Sequence, residues 1–443
     1  MKRYEKYLKQ YAKDVPYQDG IKINCSSELE YITNHVTAPI MVSYVWWILL
    51  EAKQKNISTL YFLARDGYTL CKIAELFCEK FQLNIQCRYL YCSRAALRMP
   101  TYHFLGEEAY SLLFMGGSYL TADHVLDRID CTEEEREKIF AETNFDIAFR
   151  GKIFSWHEHE TYCKKLRTSN TYNKIVKEKS ESAYTTILGY FQQEGLTQLK
   201  HIAIVDSGWT GSMQRSFRQI LEYAGHTPKI TGFYFGMYAK QKEQQDGTYC
   251  TWYFNQRGPI KNTIMFSNNL FETMLTAPHG MTVGYELQQG TYKPIQKAAP
   301  QGKRLDDILV QQRTILSFTN HVLKKINFFE FHSKQHLKLT KKLLTQLMVK
   351  PEKAEVLAYQ HFLFCDDITE SYQLTLHTEN ADLSRYLILR RIYRKFISKK
   401  QEEPSPEVLW HFGSIAFLPK YKQSWYRLNV LFWEWLKCVL KNK

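Results

Sequence analysis

The sequence predicts an α/β protein built on a Rossmann-like parallel sheet, with a helical insertion inside the sheet-forming region and helical segments before and after it. Two stretches carry this. "STLYFLARDGYTLCKIAELFCEKF" (58–81) followed by "CRYLYCS" (87–93) reads as buried strand, amphipathic helix and strand, and "HIAIVDSGWTGSMQRSFRQILEYAG" (201–225) followed by "KITGFYFGMY" (229–238) repeats the design. Strands joined through a helix pair in parallel, because a parallel neighbour needs a crossover and a helix is the usual one. Composition agrees with a packed chain: 443 residues, 44% hydrophobic and 23% charged, with only 20 Gly and 12 Pro, which excludes disordered, collagen-like and low-complexity classes.

The elements follow in order. Residues 1–56 form a helical lead-in. Ser27 and Glu30 have capping-box spacing, and Thr37-Ala38-Pro39 reads as the start of an apolar helix, "APIMVSYVWWILLEA" (38–52), too short for an ordinary membrane span and therefore a buried helix. The α/β core runs over 57–300. Within it, 105–198 is charged and helical, with runs such as "CTEEEREKIFAE", and shows no strand pattern. From 301 to 443 the chain is helical again, as in "KRLDDILVQQRTILSFTNHVLKKI". Residues 421–443 read as an aromatic, basic amphipathic helix that either packs on the body or lies on an anionic membrane face.

Ten scattered cysteines include no CxxC pair and no zinc-ligand cluster, and the charged N-terminus lacks the apolar segment of a signal peptide; reduced thiols in the cytoplasm, with membrane contact confined to the inner face, are expected. A net charge of +14 calls for an anionic partner. The basic residues are spread along the chain and no nucleic-acid-binding fingerprint is present, so nucleic acid is not that partner.

In an open parallel sheet, ligands bind beyond the carboxyl ends of the strands, where helix N-termini present free NH groups. Three such turns carry anion-binding residues. In "VDSGWTGS", Ser207, Gly208, Thr210, Gly211 and Ser212 can wrap a phosphate, while Asp206 can accept hydrogen bonds from sugar hydroxyls. In "LARDGY", Gly67 permits close backbone approach or a positive φ, Arg65 can clamp an anion, and Asp66 is a candidate Mg²⁺ ligand. "CSRAALR" adds Ser93, Arg94 and Arg98. Taken singly, each is equally a tight turn with a capping residue. Together they suit phosphoribosyl diphosphate, one loop for the ribose phosphate and another for the diphosphate.

The arrangement resembles the type I phosphoribosyltransferase fold, with Ser207 where that family carries a second acid and with a shorter phosphate loop. "YFLARDGY", "VDSGWTGSMQ" and "FETMLTAPHGMTVGY" (271–285) are similar to the C-terminal part of proteins of bacterial polysaccharide gene clusters labelled as predicted haloacid-dehalogenase-like hydrolases. The DxDx(T/V) nucleophile motif of that hydrolase is missing, so what the resemblance implies is the glycan phosphoribosyltransferase part: a pentosyltransferase moving ribose 5-phosphate from phosphoribosyl diphosphate, with Mg²⁺, to a hydroxyl of a lipid-linked or other glycan acceptor. A separate haloacid-dehalogenase-like phosphatase would then remove the phosphate. Such displacement needs the diphosphate's charge neutralised and the acceptor hydroxyl deprotonated. Arg65 and Arg94 are expected to serve the first need, Asp66, Glu272 or His279 the second, and Asp206 to hold the ribose. The alternatives are a non-catalytic scaffold of a glycan-assembly complex and a sugar-phosphate hydrolase.

Overall fold

Five apolar runs pair into one parallel sheet: β1 (Thr59–Leu63), β2 (Gln86–Leu90), β3 (His201–Asp206), β4 (Lys229–Gly236) and β5 (Thr248–Phe254), in the order β2-β1-β3-β4-β5. A computed structural model describes residues 3–22, 24–117, 119–238, 247–365, 367–370, 372–378, 383, 387 and 408–441. The register sets Leu63 against Leu90, Phe62 against Val205 and Asp206 against Tyr234, so the turns that follow β1, β2 and β3 leave the sheet at one edge.

Alternate strand residues feed two cores, as the period of a strand demands. Leu60, Phe62, Ala203, Val205, Phe233 and Phe235 face one; Tyr61, Leu63, Ile202, Ile204 and Ile230 face the other. The first core holds the helix α1, which runs unbroken over Glu28–Gln54 through a π-helical turn at Thr33–Thr37, and α2 (Gly67–Phe81). The second holds the short helix α3 (Arg94–Arg98), the end of α4 (Asn170–Gln193) and α5 (Ser212–Tyr223). Because α2 crosses on one face and α5 on the other, β1 and β3 part company at their carboxyl ends. That is the switch point of a doubly wound sheet, where a crevice opens between two helix N-termini.

The stretches before β1, between β2 and β3 and after Gln296 are largely helical among the described residues, with differences from the expected details. Ser27 caps α1 as its spacing predicts, accepting from the Glu30 amide at 3.1 Å. Thr37 caps nothing: it is helical and fully buried inside α1, where the π turn keeps the backbone hydrogen bonded through the segment. Although α1 is long and apolar enough to cross a bilayer, 83% of its most apolar window is buried within the protein. Ile40 and Trp46 share their core with Ile315 and Phe318 of α8 (Gly302–Val322) and with Leu343 and Leu347 of α9 (Ser333–Val349), so the N- and C-terminal helical regions close over the same face of the sheet.

Between β2 and β3 the described residues form helices and no strand, and they gather a core of their own around Leu126, Phe140, Tyr162 and Tyr172. Unforeseen in sequence were β5, an edge strand beside β4, and a hairpin of β6 (Thr282–Gln288) and β7 (Thr291–Gln296). Two short helices, α6 (Ile260–Ile264) and α7 (Asn268–Thr273), join β5 to that hairpin. The terminal helix α10 (Lys420–Lys441) packs one face on α6 and buries Asn429 and Val430, while Tyr421, Trp425, Leu428, Phe432, Trp435 and Leu440 form an exposed stripe on the other.

Candidate functional site

A cleft of about 360 Å³ opens at the switch point, lined by all three turns: Arg65 and Asp66, Ser93 and Arg94, and Asp206 through Thr210 with Ser212. Each turn is fixed by the strand it leaves. The Ala64 amide donates to the Leu90 carbonyl at 3.0 Å, and the chain then folds back so closely that a Cβ on Gly67 would lie 2.7 Å from the Phe62 carbonyl carbon. Gly67 therefore serves the packing of α2 on its own strand. It is helical and does not line the cleft, contrary to the expected approach to a ligand.

The turn after β3 is held from both sides. Tyr44 of α1 donates to the carbonyls of Asp206 at 2.9 Å and Phe233 at 3.0 Å, and the Ser207 and Trp209 carbonyls accept from the Gly236 and Tyr238 amides at 3.2 and 2.8 Å. Gly208 has φ +148°, and a Cβ there would meet the Gly236 carbonyl oxygen at 2.2 Å. Gly211 has φ +70°, the left-handed geometry that leads into α5, and it lies behind the lining residues Thr210 and Ser212.

Three carboxylates converge here. Asp206, buried, accepts from the Ser207 amide at 2.9 Å; Asp66 accepts from the Ser207 hydroxyl; Glu272 of α7 accepts from the Trp209 indole NH at 2.6 Å. Burial first, and the Asp66 charge second, push the Asp206 carboxyl well above the carboxylate range. Burial also raises Asp66, against the hydrogen bond from Ser207 and the charges of Arg65 and Arg94. Glu272 is pushed up to about 7 by burial and by Asp66, with the Trp209 hydrogen bond and the two arginines pulling the other way. Among the described residues no group of three His, Cys, Asp or Glu is close enough to hold a metal ion alone. Mutually raised carboxylates do invite a cation, and Mg²⁺ commonly takes one or two protein carboxylates and completes its shell with substrate phosphates.

Cations stand opposite. Arg94 is exposed at the start of α3, whose cap Ser93 accepts from the Ala96 amide and donates to the Thr282 carbonyl at 2.6 Å. Arg65 is ion-paired with Glu370, which lines the cleft with Asp367 and Ile368; Arg304 of α8 also lines the cleft and reaches the Leu363 carbonyl at 3.3 Å. Arg98 is not part of the lining. It is 5% exposed, its Nη1 has no hydrogen-bond partner among the described residues, and burial lowers its pKa to about 10. His279 also lies off the cleft, 2.7 Å from the Tyr89 hydroxyl within a cage of Tyr68, Tyr89 and Tyr91, where burial lowers the imidazole's pKa. The neighbourhood "FETMLTAPHG" thus contributes its acid and not its imidazole.

Sequence reading left out Trp209, Arg304, Glu370 and the pair Asn268 and Asn269, all of which line the cleft. Trp209 carried a signal, a large indole inside a turn otherwise made of small residues. The others depend on contacts across the whole chain. No family model matches this sequence, and no curated protein is similar to it.

Proposed function

We propose that the chain is a transferase that moves ribose 5-phosphate from phosphoribosyl diphosphate to a hydroxyl of a glycan acceptor. The observation that supports this best is the division of charge in one cleft at the sheet's switch point: Arg65, Arg94 and Arg304 for a diphosphate, and Asp66, Asp206 and Glu272 for a sugar that becomes cationic as it reacts. The acceptor oxygen attacks the anomeric carbon, the bond to the diphosphate oxygen breaks, and its electron pair leaves with the diphosphate. The acceptor's proton passes to Glu272, whose pKa of about 7 suits a general base at neutral pH. Asp206 holds the ribose hydroxyls and faces the developing positive charge. Attack opposite an α-linked leaving group yields a β-ribofuranosyl 5-phosphate. Bound Mg²⁺, held by Asp66 and the diphosphate oxygens, would supply further neutralisation of the leaving group. The exposed stripe of α10, beside Lys422 and Arg427, suits the peripheral membrane placement that a lipid-linked acceptor requires.

The test is a mass increase of one ribose 5-phosphate on a glycan acceptor after incubation with phosphoribosyl diphosphate and Mg²⁺, beside nucleotide-sugar donors. Transfer from a nucleotide sugar, or diphosphate release without any transfer across an acceptor panel, overturns the proposal. Glu272→Gln is expected to slow transfer by about 10²–10⁴-fold. It also removes the rise of kcat/KM with pH centred on about 7 that deprotonation of Glu272 produces. The same raised pKa has a stability sign: the folded carboxyl keeps its proton above the usual value of 4.5, so stability falls as pH rises from 4.5 to about 7 and levels above, a slope Glu272→Gln flattens.

A further inference from the structure

A second chamber of about 830 Å³ adjoins the cleft and shares Thr210, Asn268, Asn269 and Leu409 with it. Its chemistry differs from the cleft's. No arginine lines it among the described residues, and its only Asp, Glu or Lys side chains are Glu434 and Lys437 of α10, which neutralise each other across 2.8 Å. Aromatic side chains (Tyr238, Phe266) and amides (Gln256, Asn268, Asn269) face the space instead. The amides keep free capacity: Gln256 spends its NH₂ on the Tyr238 carbonyl at 2.9 Å and Asn268 on Asn269 at 2.9 Å, and neither carbonyl oxygen accepts a hydrogen bond among the described residues. Aromatic faces beside unspent amides suit the CH faces and hydroxyls of an uncharged sugar.

The Trp209 indole lines the cleft and packs against two residues that line the chamber. Its ring lies 5.0 Å from Phe266 and 5.9 Å from Tyr238 on the chamber side, while its NH holds Glu272 on the cleft side. One helix, α7, places Asn268 and Asn269 where the spaces meet and Glu272 one turn further along the same face.

We infer that the chamber binds a neutral saccharide, and that Asn268, Asn269 and Trp209 deliver one of its hydroxyls to Glu272. This rests on the proposed transfer for its second half only. A uronic or phosphorylated sugar is the wrong ligand for the chamber, since the one lysine there among the described residues, Lys437, is already paired with Glu434.

Saturation-transfer NMR with methyl glycosides of common neutral mono- and disaccharides, and methyl β-D-glucuronide as the anionic comparator, tests it on the whole chain. The neutral glycosides are expected to give a signal and the glucuronide none. Ile264→Trp, which fills the chamber, should cut that signal at least fivefold, and Gln256→Trp at the exposed rim does the same if the first variant folds poorly. Calorimetric binding of phosphoribosyl diphosphate with Mg²⁺ should stay within twofold in both. No signal from any neutral glycoside, an equal signal from the glucuronide, or signals unchanged in both variants would overturn the inference. Glycoside binding that obeys these expectations in a protein that binds no phosphoribosyl diphosphate would instead remove the transferase reading and leave the saccharide chamber standing.

Discussion

The turns after β1 and β3 are written alike, apolar strand, acid, glycine, helix, yet they are built on different physical grounds. In the first, Gly67 is a packing glycine in ordinary helical geometry, and what faces the cleft is Arg65 and Asp66. In the second, glycine acts through conformation at Gly211 and through backbone proximity at Gly208, and Asp206 is buried and fixed by the Ser207 amide. A likeness of motif therefore does not carry a likeness of role. The adjustable charges sit on the first turn and the rigid cradle on the second.

The largest expected effect separates the two acids. Asp206→Asn should lower kcat/KM by about 10²–10³-fold, as for loss of one preorganised electrostatic group. Added Mg²⁺ should not restore it. Asp66→Asn should instead show its loss at low Mg²⁺ and recover as Mg²⁺ is raised, so Mg²⁺ titrations that superimpose for the two variants would erase the distinction. Next come the glycines. Gly67→Ala forces a Cβ onto the Phe62 backbone and should cost about 1–3 kcal/mol in urea unfolding. Gly211→Ala should cost about 1–2 kcal/mol, the penalty of a left-handed backbone. Gly211→Val should in addition abolish donor binding by stiffening the phosphate loop, and normal calorimetric binding in that variant would make Gly211 a turn element only. The smallest effect concerns Arg65, whose partner in this structure is the Glu370 carboxylate. Glu370→Gln should free the guanidinium and tighten phosphoribosyl diphosphate binding by a few fold, while unchanged affinity would show that Arg65 takes no part in holding the donor.

The same contrast explains what could be read in advance. Helix α2 was legible to its ends, because an amphipathic repeat, an opening glycine and a basic last turn are local signals. So were β1, β2 and β3, and with them the convergence of three turns on one edge. The hairpin of β6 and β7 also carried a local signal, since Gln289 and Gly290 both take positive φ in a two-residue turn, but a Gln-Gly pair announces it less loudly than Asn-Gly. Thr37 misled because it has the residue type of a cap and sits inside a helix whose stability comes from burial. Glu370, Arg304 and the chamber were beyond local reasoning: Glu370 meets Arg65 across 305 positions, and only the packing of the C-terminal helices over the sheet creates that contact. The position of His279 off the cleft was also beyond local reasoning, because its tyrosine cage is assembled from α2 and from β2 and the residues just beyond it.

The shared core of α1 with α8 and α9 also imposes an order on biosynthesis. A ribosome adding about 5–20 residues per second delivers those partner helices only on the order of tens of seconds after α1 has emerged. During that interval Ile40, Trp46 and their apolar neighbours can pack on α2 and the sheet but lack the α8 and α9 side of their core. The nascent chain is thus a natural client for holding factors, and a translation that stops before α8 would release a five-stranded sheet with one apolar face partly uncovered.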